Sequence, residues 1–129
     1  MTAGPRRLLV IDSDSDVLEM LREIATELSY EVHTVRDWAL VLAVGPVFLP
    51  DVILLDLAMP TMSRDSALEI VHRDHPHVPV IAMAPDLTTM QAVSAGGAGA
   101  VGCVRKPFDR GVVEMALALV IGDWRGLEW

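Results

Sequence analysis

Residues 7–23 read RLLVIDSDSDVLEMLRE, and the fold turns on whether a strand or a helix leads into these aspartates. Asp12, Asp14, Asp16 and Glu23 fall at positions 1, 3, 5 and 12 of a helix–loop–helix calcium loop. Position 6 of such a loop turns sharply and needs glycine, but here it is Val17. Ahead of Asp12, RLLVI is a short, branched apolar run bounded by charge, which reads as a buried strand. Beyond it, apolar residues at 17, 18, 21, 24, 25 and 28 follow a helical period, with Ser15 or Asp16 as candidate cap. A strand enters the acidic stretch and Val17 belongs to the helix that leaves it, so the calcium reading fails.

The same grammar continues outward. YEVHTV (30–35) alternates like a strand, and Asp37 opens a short helix over 38–44 that Gly45 and Pro46 are expected to stop. DVILLDL (51–57) is a second buried strand, running into MPTMS. A helix over 64–73 carries Ala67, Leu68, Ile70 and Val71 as its apolar stripe. VPVIAMA (78–84) is a third buried strand, and Pro85-Asp86 start a helix reaching about Ala95. AVGCV (100–104) is a short strand, and residues 109–121 form a closing amphipathic helix. Strand and helix alternate five times, with strands apolar on both faces. That pattern specifies an α/β fold, a parallel sheet covered by helices on each side. Residues 1–121 make one domain, and GDWRGLEW (122–129) departs from the pattern as a tail or the start of a linker.

Composition sets the outer bounds. The chain has 129 residues, 52% of them hydrophobic, enough for one domain with its own core. Its net charge of −8 argues against this domain gripping a phosphate backbone directly. No apolar run is long enough to suggest a membrane span, and MTAGPRRLLVIDSD is too short in its apolar part for a signal peptide. Cys103 is the single cysteine, so no internal disulfide forms. A soluble cytoplasmic protein is the expectation. Every basic residue but one is arginine, and the lone lysine is Lys106.

In an open α/β sheet, ligands bind beyond the carboxyl ends of the strands. There the reading places Asp12 with Ser13 and Asp14, then Asp56 followed by Ala58, then Ala84, and Lys106 followed by Pro107 and Phe108. Carboxylates and carbonyls suit Mg²⁺ in a site shared with a phosphate. Lys106 would neutralise a transferred phosphoryl group, and Asp56 would be its covalent acceptor.

Together, LLVIDSDSDVLEMLRE, PDVILLDLAMP, VPVIAMAP and GAVGCVRKPF resemble, in order and spacing, the four blocks of a response-regulator receiver domain. The resemblance covers residues 6 to 121. It implies a flavodoxin-like, doubly wound five-stranded sheet of order 2-1-3-4-5 with five helices. It further implies two-component signalling rather than enzymatic turnover: phosphorylation of Asp56 by a histidine kinase or phosphotransfer protein, with bound Mg²⁺. Implied metal ligands are Asp12, Asp56 and the Ala58 carbonyl, with Ser13 or Asp14 as further candidates. Lys106 matches the family's lysine, and Pro107 follows a bond that is commonly cis. An output domain or effector protein is the implied downstream partner, and homodimerisation is open.

Several positions depart from the family. Ser13 stands where a second acid usually meets the metal, and Ala84 where a Ser or Thr hydroxyl usually holds the phosphoryl group. Cys103 replaces the switch aromatic, while Thr61 and Arg64 replace glycines. A methyl cannot donate, and a lost hydrogen bond to a charged group is worth ~1.5–3 kcal/mol. Both halves of the usual switch are therefore degenerate, and weak Mg²⁺ binding and atypical switching are expected. The rival reading is a phosphorylation-independent pseudo-receiver acting as an interaction module. More distant is an aspartate-nucleophile phosphohydrolase, weakened because Ala58, not an acid, lies two residues after Asp56. His72, His75 and His77 straddle a helix end and read as a solvated loop. Trp124 and Trp129 either dock on a partner or fold back onto the domain.

Overall fold

The computed structural model describes residues 4–60, 62–96 and 99–123, without the side chains of 44–47, 94–96 and 121–123. Five strands, β1 (Arg7–Ile11), β2 (Glu31–Val35), β3 (Val52–Asp56), β4 (Val80–Ala84) and β5 (Gly102–Arg105), form one parallel sheet of order β2-β1-β3-β4-β5. They alternate with α1 (Ser15–Glu27), α2 (Trp38–Phe48), α3 (Arg64–Asp74), α4 (Leu87–Gly96) and α5 (Arg110–Asp123). The expected α/β class, strand order and helix count all hold.

Strand periodicity divides the core into two layers. Leu9, Ile11, Ile53, Leu55, Val80 and Ala82 point to one face, where α2, α3 and α4 bring Trp38, Val41, Leu68, Val71 and Val93. Leu8, Val10, Val52, Leu54, Ile81 and Met83 point to the other, where α1 and α5 bring Leu21, Ile24, Val113 and Leu117. Because helices cover both faces, β1, β3 and β4 are apolar throughout rather than alternating.

Several element boundaries differ from expectation; β4, for example, begins at Val80 and not at Val78, and α5 runs to Asp123. Asp14, not Ser15 or Asp16, caps α1: its carboxylate accepts from the Asp16 and Val17 amides. α2 does not stop at Gly45-Pro46 but continues to Phe48, closing on a left-handed Leu49 at φ 54°. Packing overrides the local break. Phe48 packs against the core, and Arg7 Nη1 donates to its carbonyl at 2.5 Å, satisfying one orphan acceptor of the helix end. β5 spans 102–105 rather than 100–104, pairing Ala84 with Arg105. Thr61, Trp124, Trp129 and most of the tail over 122–129 lie outside the described residues.

Candidate functional site

The order β2-β1-β3-β4-β5 reverses direction between β1 and β3, and the acidic residues gather at that crevice. Asp12 follows the last residue of β1, Asp56 is the last residue of β3, Ala84 ends β4, and Lys106 follows β5. Backbone bonds hold these ends together: the Asp12 amide donates to the Val35 carbonyl, Leu57 to Met83, and Lys106 to Ala84 at 2.8 Å. The Lys106–Pro107 peptide is cis, as the resemblance implies.

Asp12 is fully buried and Asp56 is 3% exposed, the two buried charged residues among those described. Carboxylates so placed need partners, since an uncompensated buried charge costs about 3–5 kcal/mol. Asp12 Oδ1 accepts from the Asp14 amide at 2.9 Å, and Oδ2 from Lys106 Nζ at 2.5 Å. Asp56 Oδ1 accepts from the Ala58 amide at 3.0 Å and lies 3.4 Å from Lys106 Nζ. Asp56 Oδ2 has no protein donor among the described residues. Burial pushes the Asp12 carboxyl above the usual carboxylate range, with the Asp56 charge adding to the rise, while Lys106 and the Asp14 amide pull it back.

The sequence-predicted residues are sorted by this geometry. Asp12, Asp56 and Lys106 come together, with Ala58 bonded to the same Asp56 oxygen. Ser13 is partly buried next to Asp12 in the chain. Asp14 is exposed and its carboxylate is occupied as the α1 cap, so the structure gives it a role the sequence left open. Asp56 is not a helix cap; Ser63 caps α3 through its bond from the Ser66 amide. Ala84 is fully buried, and Cys103 sits partly buried on β5, its thiol pushed up by burial. Among the described residues no group of three His, Cys, Asp or Glu side chains is arranged to hold a metal, which covers His72, His75 and His77.

Sequence reading missed the apolar rim beside the acidic crevice. Val17 and Met20 of α1, together with Pro85, Pro107 and Phe108, line a cavity of about 520 Å³ that Lys106 also borders. The signal was present in the KPF run and in the α1 stripe, where Val17 and Met20 were counted as helix or left out. A second groove, about 420 Å³, opens between β5 and α5, floored by Gly102 and Cys103 and walled by Val112, Met115 and Leu119.

The model of a family described as response regulator receiver domain matches residues 8–118. Over 103 residues the chain is 32% identical to the regulatory protein AtoC of Escherichia coli (strain K12), covering 80% of this chain and 22% of that protein. It is 34% identical over 111 residues to the DNA-binding transcriptional regulator NtrC of the same organism, covering 86% of this chain and 23% of that protein. The chain thus spans less than a quarter of the length of these relatives. Its fold superposes on the chemotaxis response regulator CheY4 of Vibrio cholerae with a TM-score of 0.81 at 23% identity, covering 91% of this chain and 99% of that one. A CheY-like receiver domain protein from Methanospirillum hungatei JF-1 gives 0.84 at 21% identity, covering 95% and 98%.

Proposed function

This chain belongs to the response regulator receiver domain family of two-component systems, and we propose that within it Asp56 accepts a phosphoryl group while the relay to the β5–α5 face is lost. The observation that carries this reading is the Lys106 ammonium set between Asp12 and Asp56, 2.5 Å from one carboxylate and 3.4 Å from the other. Asp56 Oδ1 is engaged by the Ala58 amide and Lys106, which leaves Oδ2 as the nucleophile. Oδ2 attacks the phosphorus of a phosphohistidine on a partner kinase or phosphotransfer protein. The P–O bond forms as the P–N bond breaks, and the imidazole leaves with the bonding pair. Lys106 then faces the charge of the acyl phosphate.

The donors available for Mg²⁺ are hard oxygens: the Asp12 and Asp56 carboxylates, the Ala58 carbonyl and the Ser13 hydroxyl. They fit that ion in kind, with one carboxylate fewer than an acidic pair would give. Each carboxylate oxygen keeps a lone pair beyond the bonds described, so both can bind a cation without giving those bonds up. Bound there, Mg²⁺ would neutralise phosphoryl oxygens. Asp12 and Asp56 would anchor it, and Lys106 would hold the remaining charge.

Loss of the relay follows from the side chains at the other two positions. Ala84 offers no hydroxyl to a phosphoryl group on Asp56, and Cys103 has no ring to exchange between two packings. A ligand shifts a conformational equilibrium only through differential contacts, and these two residues supply none. The same residues favour the second reading, a domain that binds its partner whatever the state of Asp56. Intact mass after incubation with acetyl phosphate and Mg²⁺ tests the proposal. Gain of one phosphoryl group by the protein, and none by Asp56→Asn, is the expected result. No gain in either supports the phosphorylation-independent reading.

A further inference from the structure

We draw no further inference here: the strongest candidate, the apolar groove of about 420 Å³ between β5 and α5 that Val112, Met115 and Leu119 wall, carries none because nothing in the structure shows what covers it.

Discussion

Lys106 lies closer to Asp12 than to Asp56: its ammonium is 2.5 Å from Asp12 Oδ2 and 3.4 Å from Asp56 Oδ1. The one lysine of the chain is therefore the counter-ion of the two buried carboxylates among the described residues. Removing it leaves two like charges facing each other in low dielectric. Lys106→Met is expected to lower stability at about pH 7.5 by roughly 2–4 kcal/mol. The loss should shrink as the pH is lowered, because Asp12, already pushed up by burial, takes up a proton on the way down. Urea unfolding across a pH series measures this, and equal losses throughout would show that Lys106 does not hold these charges.

Asp12 itself costs the fold stability when ionised. Its carboxyl is raised in the folded state above the ordinary value of 3.8, so between 3.8 and the raised value the folded chain binds more protons than the unfolded one. This group's contribution is full below 3.8 and is lost as pH rises through the folded value. Above the folded value the penalty is complete. Asp12→Asn, keeping the shape and removing the charge, should raise the melting temperature by roughly 2–4 °C and weaken Mg²⁺ binding at the same time. A lower melting temperature for Asp12→Asn would mean that the Asp12–Lys106 pair stabilises the fold on balance.

Sequence showed more of the scaffold than of its local stops. β1, β3 and β4 were legible because a strand buried on both faces has to be apolar throughout, and carboxylates end the β1 and β3 runs abruptly. The sequence offered Ser15 or Asp16 as the cap, whereas the place where β1 ends selects Asp14. Gly45-Pro46 looked like a stop because local propensity says so, but the core contact of Phe48 and the bond from Arg7 lie far away in sequence. The site itself was legible as residue types at strand ends. That Lys106 bonds Asp12 more closely than Asp56, and that Val17, Met20 and Phe108 line an apolar rim beside them, depends on helix placement that periodicity does not carry.

The resemblance puts Ser13, a neutral oxygen, where the family usually has a second acid, and metal affinity follows ligand charge. Ser13→Asp should tighten Mg²⁺ binding by about tenfold, on the order of 1.4 kcal/mol. Calorimetric or fluorescence titration of the two proteins measures the difference. Identical affinities would place Ser13 outside the metal shell.

The central claim is that the acceptor chemistry is retained and its relay is not. Amide chemical shifts before and after adding beryllofluoride with Mg²⁺, as a mimic of the phosphoryl group on Asp56, test both halves at once. The expected changes are confined to residues next to the acceptor: Asp12 to Asp14, Asp56 to Met59, and Lys106. Little should move along β5 and α5, since neither Ala84 nor Cys103 responds to the group. In Ala84→Thr/Cys103→Tyr, changes should extend into α5. Large cooperative shifts reaching α5 in the unaltered chain, or no shift at Asp56 with saturating mimic, would contradict the account.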